Sequence, residues 1–444
     1  MGSEATATSA AGSKPSSRQM GRLSPGPGMA AKDVAAHQLA RIHSATTAIV
    51  AEHGYEALKV RDVVSYAEVS TRAFYELFSS KEDCFLRTYE LISRRATRRM
   101  IAAQTGEPDW RKRSQLIFEE FLRSLAQKPE DARLTLVEAY AAGEASLEQA
   151  WRAERIFEGM VAECFARAPS GVVVPPLIVE GMVAGIAGVS RNRLLAGKLS
   201  DLQSVSQELL DWALCFPDEA TRELESLDRG LIWRDTTLEP LPGPSGGGGN
   251  AFSATGDRAL ILAAAAELAA AKGYASLTAP RIRSAAHVSR RKFDSYFDGV
   301  EDCYLAALEQ HAGAAMAQAS RAQAAASTQT GGTYRAIAAL SEQIANDPLL
   351  FRVCLTNDFP PGPDGTRARQ RLHDAAVELL AGGHAPSHLS TEASTSAVWS
   401  LFNHHVIRNR ASRRQIAASL AYLATAPMAG PSAVVTAIQS EQNP

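Results

Sequence analysis

The chain has 444 residues, 45% of them hydrophobic and 21% charged, with a formal net charge of −2. That length exceeds one ordinary core and points to at least two domains. The near-neutral balance excludes a histone-like binder, so any phosphate-binding surface has to be a local basic face.

Residues 1–31, rich in Ser, Ala, Gly and Pro and lacking a secretory apolar core, read as a disordered leader. A helix is expected from about Val34 to His53, with Ile42, Ala45 and Ile49 at helical spacing. Gly54 ends it, because glycine takes the left-handed conformation cheaply. A short helix over 60–66 leads into the turn Ala67-Glu68-Val69. Ser70 then reads as the N-cap of a helix starting at Thr71, with Phe74 and Phe78 on one face at i, i+4 spacing. Ser79 and Ser80 break that helix, and 81–99 reads as a longer connecting helix. Residues 101–217 are helical by composition, interrupted by Pro108, Pro129, Pro175 and Pro176. Residues 227–255, with Pro240, Pro242, Pro244 and glycines at 246–249, read as a flexible linker.

Beyond the linker the chain repeats itself. Gly54-Tyr55 recurs as Gly273-Tyr274, an offset of 273 − 54 = 219, and at that offset residues 65–86 align without a gap on 284–305. Eleven of those 22 positions are identical, including Val69, Ser70, Arg72, Phe74, Phe78 and Cys84, which implies an internal duplication. The second copy has a helix to Lys272, a stop at Gly273, Thr278 as N-cap with Pro280 in the first turn, and Ser289 as the next cap. Residues 312–426 are again helical by composition.

Two short helices joined by a tight turn, the second capped by serine, form a helix-turn-helix. Val69, Phe74 and Phe78 fix the inner face of the second helix, which leaves its N-terminal outer face free for a major groove. The run Gly54-Tyr55, Val63, Ala67-Glu68-Val69-Ser70, Phe74-Tyr75, Phe78 and Lys81-Glu82 resembles the DNA-binding domain of the tetracycline-repressor (TetR) family, over about 50 residues in each half. The resemblance implies an all-α chain of two tandem units. Each has a three-helix DNA-binding domain with a helix-turn-helix (32–90 and 256–309) and a helical ligand or dimerisation region (91–226 and 310–428), followed by a tail at 429–444.

The same resemblance assigns roles. Ser70 would cap the recognition helix and meet a phosphate, Thr71, Arg72 and Ala73 would face base edges, and Tyr75 and Lys81 would meet the backbone, with Arg61 a further phosphate contact. The second unit would use Thr278, Arg281, Arg283, Ser289, Arg290, Arg291 and Lys292, a basic set with no acid among residues 281–292. Departures from the family pattern are specific. Glu68 and His287 stand where the turn usually carries glycine, at a cost of ~1 kcal/mol each. The cap of the preceding helix is Lys59 in the first copy, and Asp294 and Val300 replace Tyr75 and Lys81 in the second. The two units are therefore expected to be unequal readers.

Five scattered cysteines with no CxxC pair fit reduced, packed thiols in a cytoplasmic protein. His404-His405 reads as a packed or interface pair, since neighbours on an α-helix point ~100° apart and do not readily ligate one ion. No metal and no cofactor is expected. With no Gly-rich phosphate loop, HExxH or GxSxG, an enzyme is not expected either. No apolar run reaches the ~18 residues of a membrane span. The stretches 178–195 and 202–216 in the first half, and 397–407 and 416–424 in the second, suit a dimer-type interface in which Gly181, Gly185 and Gly188 permit close approach.

The expected function is sequence-specific binding of double-stranded operator DNA. The resemblance implies repression relieved by a small-molecule effector. The two units would pair within one chain as a pseudo-dimer on an asymmetric site, and a homodimer with four heads stays open. The alternative is a helical sensor or interaction module in which the second, or both, units no longer bind DNA.

Overall fold

The computed structural model describes residues 31–168, 174–229, 256–356, 359–360, 362–381, 389–407 and 416–442. The leader and most of the linker lie outside these residues, as does the side chain of Cys354. Among the described residues there are helices and no β-strand.

The first half opens with α1 (Ala31–His53), α2 (Val60–Tyr66), α3 (Thr71–Leu77) and α4 (Lys81–Gln104). Then come α5 (Trp110–Gln127) and α6 (Pro129–Arg133), the latter continuing through a π-type segment (Leu134–Glu138) into α7 (Ala139–Ala141). The long α8 (Glu144–Phe165) and α9 (Pro176–Leu195) precede α10 (Ser206–Leu214) and α11 (Leu224–Arg229). The second half runs α12 (Asp257–Lys272), α13 (Ala279–Ala286), α14 (Arg290–Asp294), α15 (Val300–Ala324), α16 (Gln329–Asn346), α17 (Pro348–Thr356) and α18 (Pro363–Ala381). It ends with α19 (Leu389–Leu401), a second π-type segment (Phe402–Ile407), α20 (Ala417–Ala429) and α21 (Pro431–Gln442).

The first helix-turn-helix has its own core, in which Ile42, Ala45, Val50, Phe74, Phe78 and Phe85 are buried. That core reaches Leu134 and Ala139 at the two sides of the π-type segment. The second is fused to a larger core running through both halves, from Trp110 and Phe118 through Trp212 and Phe216 to Phe293, Tyr304, Tyr422 and Leu423.

At the centre, α9 lies against α19, with α10 and α20 alongside. The contact is close because a Cβ on Gly185 would sit 2.4 Å from the Trp212 ring and 2.8 Å from the Ala393 carbonyl oxygen. One on Gly188 would sit 2.4 Å from the Ser396 Cβ. Polar bonds cross the same boundary. Trp212 Nε1 donates to Ser394 Oγ at 3.0 Å, Tyr422 OH to the Phe216 carbonyl at 2.9 Å, and Arg193 pairs with Glu392 at 3.0 Å.

Two sequence boundaries need correction. Residues 227–229 are not linker: Leu227 is buried in α11, and Asp228 accepts from the backbone N–H groups of Ala418 (2.8 Å) and Ser419 (3.2 Å). Asp228 therefore caps α20 from the other half of the chain, satisfying donors that no neighbour in sequence supplies. Burial pushes its carboxyl up to about 7, against the pull of these bonds. Residues 431–442 are not a tail either, but a helix burying Val434, Val435 and Ile438. Gly430 ends α20 at φ 86°, and Pro431 then starts a new helix at its first position, where a missing N–H does no harm.

Candidate nucleic-acid interface

In the first head, α2 and α3 are joined through Glu68, which adopts φ 48°. The strain is held by Arg41 on α1, whose guanidinium donates to the carbonyls of Ala67 and of Glu68, the latter at 2.7 Å. Ser70 Oγ accepts from the Ala73 N–H at 3.1 Å, so the expected cap is present. Phe74 and Phe78 are fully buried, which turns Thr71, Arg72 and Tyr75 outward. Arg72 is almost wholly exposed and pairs with Glu76 at 2.9 Å, one turn along. Arg61 is exposed and pairs with Asp62 at 3.3 Å, while Ala73 is half-buried. Lys81 lies with its ammonium 4.7 Å from the centre of the Tyr55 ring. Thr71, Arg72 and Tyr75 thus lie on the exposed side of α3, with groups able to donate to phosphate oxygens and base edges.

The second head repeats the frame with different detailing. His287 takes the left-handed turn position at φ 55°. The residue equivalent to Arg41 is Leu260 (41 + 219 = 260), which is exposed and offers no such clamp. Ser289 caps α14 by accepting from the Lys292 N–H at 3.2 Å. Thr278 occupies the N-cap position of α13, but its side chain accepts no hydrogen bond. Pro280 removes the second N–H of that helix, one of the two donors such a hydroxyl uses. Most of the second head's basic set also holds partners. Lys292 pairs with Asp257 at 2.6 Å, Arg290 with Asp294 at 3.3 Å, and Arg281 donates to the Ser276 carbonyl at 2.6 Å. Arg283 donates to the Ala279 carbonyl at 3.3 Å, leaving Arg291 as an exposed cation with no ion pair among the described residues.

Above the first head, helices α4, α5, α8, α9 and α10 enclose a cavity of about 170 Å³. Its wall is mainly apolar, with Ile92, Met100, Phe121, Phe157, Met182 and Ile186, and carries Arg95, Arg99 and Lys128 as cations. Arg95 and Arg99 line this wall while remaining exposed. Tyr140 donates to Glu154 there, and burial pushes both groups upward. A small apolar pocket of about 20 Å³ lies in the second half, between α16, α18 and α19.

One wall touches the head directly. Thr135 and Leu136 of the first π-type segment line the cavity, and Glu138 at its end accepts from the Tyr55 N–H at 3.0 Å. Glu138 is buried and also faces Arg133 at 3.4 Å. This contact spans 83 residues of sequence and depends on a π-type winding that no residue pattern announces. Glu138→Ala should leave the buried Tyr55 N–H unpaired, a loss of about 1–3 kcal/mol. Amide exchange around residues 54–58 should then speed up by roughly 5- to 150-fold. Unchanged protection would mean that the contact holds nothing in place.

The second π-type segment places His404-His405 as a partly buried pair at the boundary between the halves. An α-helical step would splay the rings, but here both reach Glu180 on α9: His404 Nδ1 at 2.7 Å and His405 Nε2 at 2.8 Å. Burial alone would raise the Glu180 carboxyl; the two imidazoles outweigh it and hold it down at about 2. Burial, with Glu180 and Glu154, pushes the nearby Glu158 up to about 7. Cys84, Cys164 and Cys303 are free and buried, and Cys215 is free and half-buried. None of the helices among the described residues is long and apolar enough to cross a membrane.

Residues 42–88 and 261–307 each match the family described as bacterial regulatory proteins, tetR family. No curated protein matches the chain. Among solved structures, the fatty acid degradation regulator FadR from Bacillus halodurans is 16% identical, covering 39% of this chain and 97% of that one at a TM-score of 0.37. A TetR family transcription regulator from Marinobacter aquaeolei VT8 is 20% identical, covering 41% of this chain and 96% of that one at 0.35. FadR from Bacillus subtilis, solved in complex with stearoyl-CoA, is 18% identical, covering 39% of this chain and 96% of that one at 0.36. The two matched segments lie at the sequence offset of the duplication, 261 − 42 = 219. The chain thus carries two tandem segments of the tetR family of bacterial regulatory proteins, each lying on one of its helix-turn-helix units.

Proposed function

We propose that the chain is a repressor acting as a single-chain pseudo-dimer, with unlike heads reading unlike half-sites and an effector in the first half weakening DNA binding. The observation that carries this reading is the contact of α9 with α19, where glycines of one half seat directly on the backbone and side chains of the other. Helices of this kind pair identical subunits in symmetric dimers; here their counterparts belong to one polypeptide. The first head (32–90) acts through Arg61, Ser70, Thr71, Arg72, Ala73, Tyr75 and Lys81. The second (256–309) acts through Thr278, Arg281, Arg283, Ser289, Arg290, Arg291 and Lys292. The second is the weaker reader, because Asp294 and Val300 stand where the first head has Tyr75 and Lys81.

The regulatory regions are 91–226 and 310–428. The cavity of the first supports an effector with an apolar body and an anionic end facing Arg95, Arg99 and Lys128. Filling it would move the segment that carries Glu138 and so shift the head between orientations, a coupling between two sites. Selection of bound duplexes from a random pool by the intact chain tests the core of the proposal. The expected product is a bipartite site with two different half-sites at fixed spacing. Perfect palindromes alone would favour pairing of two chains through equivalent heads, and no enrichment would favour the reading as a sensor without DNA binding.

A further inference from the structure

The pair His404-His405 and Glu180 come from opposite halves and meet at the same boundary. Their ligand-type atoms, one nitrogen from each ring and a carboxylate oxygen, lie within 4.8 Å of one another. A tetrahedral zinc ion with bonds of 2.0–2.1 Å needs ligand atoms roughly 3.3 Å apart. Admitting an ion therefore means opening the hydrogen-bonded separations of 2.7 and 2.8 Å slightly and drawing in the wider ones, all of which are within 4.8 Å. The ring of His404 is already oriented, stacked on Trp151 at 5.2 Å with an interplanar angle of 4°. The rings of His404 and His405 are 4.8 Å apart and tilted by only 32°, a geometry set by the π-type winding, a local feature common at functional sites.

The charge around the cluster points the same way. Glu154 and Glu158 on α8 share the electrostatic field of Glu180. Three carboxylates thus gather at a partly buried boundary. Two imidazoles and one carboxylate suit zinc and neighbouring divalent transition metals better than calcium or magnesium, which prefer all-oxygen sets. The three side chains are between 17% and 28% exposed, so an ion could enter from solvent and keep a water in its fourth position.

We propose that Glu180, His404 and His405 form a zinc-class divalent metal site that staples the first half of the chain to the second. The full-length protein, stripped with a chelator, is titrated with Zn²⁺ by calorimetry and with Co²⁺ by visible absorption. About one equivalent should bind per chain, and the Co²⁺ spectrum should report nitrogen and oxygen ligands in a site of low coordination number. Glu180→Gln, which keeps the size and a hydrogen-bonding tip, and His405→Ala should each weaken Zn²⁺ binding on the order of 100-fold or more, since even a partner behind a ligand is worth roughly 10- to 100-fold. His53→Ala, at an exposed histidine far along the sequence, should leave binding unchanged. Zn²⁺ should also raise the melting temperature of the parent chain but not of folded Glu180→Gln. Absence of tight uptake by the parent, or uptake equal in parent and Glu180→Gln, overturns the site and leaves a plain histidine–glutamate cluster.

Discussion

Replacing Arg72 by alanine should weaken binding to the selected operator by roughly 5- to 150-fold, because one bidentate contact to a base edge is worth about 1–3 kcal/mol. The loss should be concentrated at one or two base positions of one half-site, where preference relaxes. The free protein holds Arg72 only by an exposed pair with Glu76, a contact worth about 0.3–0.5 kcal/mol. Exchanging that pair for a base therefore takes little energy. For the same reason the substitution should move stability by less than about 0.5 kcal/mol, so the effect is not one of unfolding. Arg291→Ala at the equivalent position of the second head should have a smaller effect, since Asp294 there places a carboxylate where the first head has the Tyr75 hydroxyl. A titration series of labelled duplexes, run at several salt concentrations, distinguishes the two kinds of contact. Loss of a phosphate contact lowers the salt slope by about one, whereas loss of base readout lowers discrimination. If Arg72→Ala bound the operator as tightly and selectively as the parent chain, α3 would not be the reading helix.

The head geometry behind this expectation was legible in the residues because it is local. Ser70 and Ser289 cap within three residues, Gly54 and Gly273 end the preceding helices, and the paired phenylalanines fix the inner face. The turn without glycine was readable too, at Glu68 and His287; the clamp by Arg41 was not, because it reaches across 26 residues. Long reach explains the other omissions. Glu138 meets Tyr55, Asp228 caps α20, and Glu180 meets two histidines more than 200 residues away. Each contact depends on how helices pack, and two of the three on a π-type segment without a sequence signature. Pro431 marks a subtler limit. A glycine-proline pair reads equally as the end of a fold or as the joint between two helices, and only the burial of Val434 and Ile438 decides.

Gly185→Val should disrupt the joint between the halves and lower the melting temperature by roughly 5–10 °C, the shift expected from overpacking of about 3 kcal/mol in a domain of this size. The new Cβ would stand 2.4 Å from the Trp212 ring and 2.8 Å from the Ala393 carbonyl, and neither neighbour can rotate away. Gly181 is a weaker site for the same test, because the atom in its way is the end of the flexible Leu423 side chain. Gly159→Ala is the matched control: it lies in α8 with nothing within 4 Å of a new Cβ, and should be neutral or stabilising by up to about 1 kcal/mol. The functional consequence separates two architectures. If the α9–α19 contact sets the spacing of the heads, Gly185→Val should bind an isolated first half-site normally and lose most of its preference for the complete bipartite site. A linked pair of heads gains affinity only while geometry allows both to engage at once. If the variant kept that preference, the spacing would have to come from a second chain, and the interface within one chain would serve stability alone.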